Sequence, residues 1–184
     1  MILCKKGENM KRLFTVLAVA LFCSACATAT IEKLNVQNGV PLNAGEMQKI
    51  YISLPKDGIY QNIKYEYSGQ QVQHSFFEAF SRHSDDVILG EKVQNLTEAK
   101  KTAADIHAQI LVYPVITHWE DRNTPWSGLR DKVRINVQVY DIGTGAMIDK
   151  TSLYATNRWL ALVNAAPSNL LKKIIWPYVE RLYR

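Results

Sequence analysis

Between positions 132 and 139 apolar and polar residues alternate without a break: Val133, Ile135, Val137 and Val139 against Lys132, Arg134, Asn136 and Gln138. A repeat of two is that of a pleated strand, whose side chains point to opposite faces in turn. The stretch therefore covers a core with one face only. The turn Asp141-Ile142-Gly143-Thr144-Gly145 follows, and a partner strand from about Met147 to Thr156 completes an antiparallel hairpin. Upstream, residues 110–119 (ILVYPVITHW) form the longest apolar run, which reads as a central strand buried on both faces. Pro114 inside it calls for a bulge, or for a stretch where the ladder needs no donor.

The other elements can be read around this core. Residues 49–54 (KIYISL) are a strand stopped by Pro55 and the Lys56-Asp57-Gly58 turn. Ser68 with Gln71 has the spacing of a capping box, opening a helix whose Val72, Phe76, Ala79 and Phe80 share a face. Residues 86–89 are a short strand ended by Gly90. Asn95 and Glu98 make a second capping box, with Leu96, Ala99, Ala103 and Ile106 facing inward. A last helix opens near Pro167 or Ser168 and points Leu171, Ile174, Ile175, Tyr178 and Leu182 at the core. Pro177 inside it should kink or split it, at a cost of about 3 kcal/mol. The order β-α-β-α-β-β-β-α predicts one α/β (α+β) domain over 48–184, a mixed five-stranded sheet with helices packed on it.

The N-terminus predicts export. Lys5, Lys6, Lys11 and Arg12 precede an apolar stretch at 13–23, too short to span a bilayer, which needs about 20 residues. Ser24, Ala25 and Cys26 follow and resemble the last three positions of a bacterial lipobox, with Cys23 where leucine is usual. Met10 is the better start for such a signal than Met1. Residues 1–25 then form a lipoprotein signal peptide, Cys26 carries the lipid (palmitate among its acyl chains), and 26–47 is a flexible tether, polar and holding Gly and Pro. Several acyl chains hold a protein firmly where one does not. Ala27, a residue other than Asp after the cysteine, implies the outer membrane by the sorting rule of Gram-negative lipoproteins. The competing reading is cleavage after Ala27-Thr28-Ala29, which would release a soluble periplasmic protein.

Two of the three cysteines, Cys4 and Cys23, fall in the removed segment, so the fold is expected to stand without disulfides. Charge tells the same story. The chain carries 22 basic and 17 acidic residues, net +5. Without 1–25, 18 basic and 16 acidic remain, or +2. That gives no field for nucleic acid and no Lys/Arg stripe.

The segment after the long strand concentrates functional side chains: His118, Trp119, Glu120, Asp121, Arg122, Trp126, Arg130 and Asp131. Loops carry function more often than strands do. Exposed tryptophan beside carboxylates and arginine is a way to hold a sugar, and peptidoglycan or lipopolysaccharide sugars are then candidate ligands, beside an envelope protein. A structural reading competes with it: Trp119 and Trp126 anchor the core, and Glu120 or Asp121 pairs with Arg122 or Arg130. An enzymatic reading would use Glu120 with Asp131 as a general acid–base pair on a glycoside. Against it, His118 lacks a second metal ligand, His74 and His107 read as surface or helix-end residues, and HExxH, Gly-x-Ser-x-Gly, the Walker loop and GxGxxG are all missing. No catalytic residue, metal or cofactor is predicted.

The string HWEDRNTPWSG at 118–128, with Leu54-Pro55-Lys56-Asp57-Gly58, Tyr67-Ser68-Gly69 and the Tyr140-Asp141…Thr144-Gly145 hairpin, resembles a family of small Gram-negative lipoproteins, domain of unknown function 4823. The resemblance covers about 48–184. It implies an outer-membrane lipoprotein and no known activity. Three readings stay open: a non-enzymatic periplasm-facing binding module, a glycan-processing hydrolase, and a purely structural envelope lipoprotein.

Overall fold

A computed structural model describes residues 28–33, 42, 48–121, 131–156 and 167–184. Its strands are β1 (Thr28–Lys33), β2 (Ile50–Leu54), β3 (Ile59–Tyr60), β4 (Ile63–Lys64), β5 (Val87–Val93), β6 (Ile110–Glu120), β7 (Lys132–Asp141) and β8 (Met147–Thr156); its helices are α1 (Ser68–Phe80), α2 (Leu96–Asp105) and α3 (Pro167–Leu182). The main sheet runs β1-β8-β7-β6-β2-β5. β2 lies parallel to both β5 and β6, and the other pairs are antiparallel. The five predicted strands and their order with the helices are therefore present. A sixth strand joins them: β1, from the segment expected to be a tether, pairs with β8 from Thr28↔Thr156 to Lys33↔Thr151. β3 and β4 make a separate two-stranded ribbon.

The sheet sorts its side chains by parity. Val133, Ile135, Val137 and Val139 are fully buried beneath α1 and α3, where Phe76, Phe80, Leu171, Ile174 and Tyr178 meet them. The Phe76 and Tyr178 rings stand perpendicular with centroids 6.3 Å apart. On the other face α2 sets Ala99 and Ala103 against Tyr51, Leu111 and Tyr140. Across the rest of that face lie Lys132, Arg134, Asn136, Ser152 and Tyr154.

Several local expectations need correction. Ser68 does not cap α1: its hydroxyl donates to the Tyr65 carbonyl (2.6 Å) and accepts from the Gly58 N–H (2.8 Å). The Asp57 carboxylate instead accepts the Gly69 N–H, after Tyr67 turns the chain through a left-handed φ of 66°. Gly90 does not end its strand, because β5 continues to Val93. Its role is close approach: a Cβ there would lie 2.6 Å from the Tyr51 hydroxyl, and the buried Gln73 amide donates to both Ile52 and Gly90 carbonyls. α3 passes through Pro177 as one helix. Lys173, whose carbonyl loses its donor to the proline, is exposed, and water can serve it. Pro114 pairs with Val137 beyond the last β2–β6 contact at Val112, on a stretch where no donor toward β2 is needed. The Asn95–Glu98 capping box is reciprocal, at 2.9 and 3.0 Å.

Candidate functional site

The far end of β6 gathers the described part of the predicted site. Ile116 pairs with Ile135 and His118 with Arg134, so Thr117 is the extra residue of a bulge. That residue reverses the parity of the strand. Val112 and Ile116 face the core at even positions, and after the bulge Trp119, at an odd one, faces it too. Trp119 is 2% exposed. Gly58 packs against its Cβ so closely that a side chain at 58 would overlap it. Trp119 is therefore a core anchor, and no exposed sugar platform.

Glu120 and His118 share the opposite face. The Glu120 side chain is 3% exposed, and its Oε2 lies 3.2 Å from His118 Nε2 and 3.6 Å from Lys132 Nζ. The Tyr60 ring meets His118 edge-on, centroids 5.0 Å apart, so the β3–β4 ribbon braces the site. Tyr65 donates a long hydrogen bond, 3.4 Å, to the Asp121 carbonyl. Asp131, at the start of β7, is buried. Burial raises the Asp121 carboxyl above its usual pKa, and the nearby Asp131 charge adds to the rise. The structure thus brings together His118, Glu120, Asp121 and Asp131, with Lys132 and Arg134 as cations that the sequence pattern had assigned only to a strand face. Arg122, Trp126 and Arg130 lie outside the described residues, as does Cys26.

A glycosidase needs two carboxylates lining one open cleft. Glu120 and Asp131 are buried, and Glu120 is engaged by the His118 imidazole and the Lys132 ammonium, a geometry that pins a chain segment more readily than it attacks a substrate. Among the described residues no cluster of His, Cys, Asp or Glu has the arrangement of a metal site, and no helix is long and apolar enough to cross a membrane.

Two concave surfaces were not legible in the motifs. A groove of about 660 Å³ runs past the C-terminal ends of β2 and β5, where Leu54, Ile59, Val93, Glu98, Tyr113 and Val115 line it. The connections from these strands leave for helices on opposite faces, the geometry that opens a crevice in parallel sheets. The crossover order was the signal for it. A shallower surface of about 610 Å³ lies on the uncovered sheet face around Lys132, Arg134, Asn136 and Tyr154.

A family model described as a domain of unknown function (DUF4823) matches residues 42–182. No curated protein matches the chain in sequence. Among solved structures, the PelC dodecamer from Paraburkholderia phytofirmans is similar with a TM-score of 0.64 at 13% identity, over 85% of this chain and 98% of that one. The hypothetical protein CT253 from Chlamydia trachomatis aligns with a TM-score of 0.51 at 14% identity, over 74% and 96%. Identities this low show a shared fold and nothing finer.

Proposed function

The chain belongs to the DUF4823 family, and from that premise we propose that it is a lipid-anchored, periplasm-facing accessory module of the outer membrane. In this reading Cys26 carries the lipid, and the domain binds an envelope protein or glycan rather than turning over a substrate. The observation that carries the binding role is the stem of the 118–131 segment. Trp119 is locked in the core and Glu120 is held by His118 and Lys132. The chain that joins β6 to β7, with Arg122, Trp126 and Arg130, thus starts and ends on rigid supports, which is how scaffolds present recognition segments. The burial of both Glu120 and Asp131 weighs against the hydrolase reading.

Labelled palmitate tests the anchor: incorporation is expected, and Cys26→Ser is expected to abolish it. Cross-linking in living cells and co-sedimentation with purified peptidoglycan test the partner. The double variant Arg122→Ala/Trp126→Ala is expected to lose binding while keeping its unfolding transition. Full binding by that variant would clear the segment of the role.

A further inference from the structure

Strand register brings the anchor and the candidate site to the same end of the sheet. Thr28 pairs with Thr156, Thr156 with Lys132, and Lys132 with Glu120. These four residues form one row across β1, β8, β7 and β6. Neighbouring strands lie about 4.8 Å apart, so Thr28 and Glu120 are about 14 Å apart along the row. Cys26 precedes Thr28 by two residues, a reach of at most about 7 Å. A flexible tether of the length first expected, 26–47, would have let the domain wander by about 25 Å. With β1 in the sheet, one residue, Ala27, separates the anchor from the first strand.

We propose that the domain stands on its membrane by this end, with the row Thr28–Thr156–Lys132–Glu120 on the side nearer the phospholipid surface and the 141–145 turn at the far side. The inference rests on the lipid attachment at Cys26 proposed above. β7 is ten residues long, so the turn stands about 30 Å further from the bilayer than Lys132. Charge agrees with the orientation. At this end Glu120, Asp121 and Asp131 are each buried or half-buried. Arg134 near this end is exposed, and the Lys132 side chain is 43% exposed. Lys132 and Arg134 can meet lipid phosphate, and a basic surface added to an acyl anchor strengthens membrane attachment.

The test supplies the anchor chemically. The chain from Cys26 onward has this one cysteine, which is coupled to a maleimide-bearing lipid in nanodiscs of phosphatidylethanolamine and phosphatidylglycerol that also hold a gadolinium-chelating lipid. Paramagnetic relaxation of backbone amides is then read by NMR. Strong enhancement at Lys132 and Thr156, with none at Thr144 and Ala146, is expected. Equal enhancement at both ends, or a reversed gradient, overturns the proposal. Unchanged shifts at Ile135 and Leu153 verify that coupling leaves the core intact. Because the linkage is synthetic, this result is independent of palmitate labelling, which tests the anchor itself.

Discussion

Replacing Trp119 by alanine separates a core anchor from a ligand platform. An indole buries about 200 Å². At about 25 cal/mol per Å², that removes about 5 kcal/mol of transfer energy, in line with about 3–5 kcal/mol for aromatic-to-alanine changes in cores. Relaxation around the hole is limited, because Gly58 has no side chain to fill it and Val133 is fixed opposite in the ladder. A domain of this size has about 5–15 kcal/mol in total, so the variant retains a folded state with a small margin, and its melting temperature falls by about 6–20 °C. Urea unfolding followed by far-ultraviolet circular dichroism measures the change, with the denaturant slope expected to stay constant. An exposed platform residue would cost about 0.5 kcal/mol or less. A measured loss under about 1 kcal/mol refutes the assignment of Trp119 to the core, and with it the parity switch at Thr117.

Tyr178→Phe removes a 2.9 Å hydrogen bond to Asp149 Oδ2, a buried oxygen that also accepts from Thr151; a loss of about 1.5–3 kcal/mol is expected in chemical denaturation. Asn95→Ala removes the side-chain half of the α2 cap, the acceptor for the Glu98 N–H, and should cost about 1 kcal/mol, while Asn95→Gly costs only a few tenths. Burial pushes the Tyr183 phenol up to about 12, whereas the unfolded chain titrates near 10. From pH 10 to 12 the unfolded state has lost a proton that the folded state keeps, so stability declines with rising pH across that window and is unaffected below it. Tyr183→Phe should flatten that decline in thermal melts, with little effect at neutral pH because the hydroxyl has no hydrogen-bond partner among the described residues; an unchanged slope would assign the decline to other groups.

What could be read from the sequence followed from local periodicity. The Val133–Val139 alternation, the apolar face of α1 and the Asn95 cap each depend on residues within a turn or two of one another. The errors share a different cause. β1 is polar at every second position and gains its place through a ladder to β8, a partner distant in the chain. Gly90 reads as a terminator until Tyr51 is seen lying across it. Ser68 has the spacing of a cap, but Gly58 and Tyr65 compete successfully for its hydroxyl. The candidate site divides in the same way. Its residue types were visible in the sequence, but a single inserted residue, Thr117, decides that Trp119 turns inward while His118 and Glu120 turn outward, and no propensity encodes that bulge.

The pairing of β1 with β8 also sets a timetable for folding. Thr28 is synthesised well before its partner Thr156, with most of the domain between them. During synthesis β1 has no ladder to join until β8 has emerged, and closing so long a loop is slow. Until then β8 is an open edge able to recruit a foreign strand. Deleting residues 28–33 would make that transient exposure permanent, turning a late folding step into a route to aggregation.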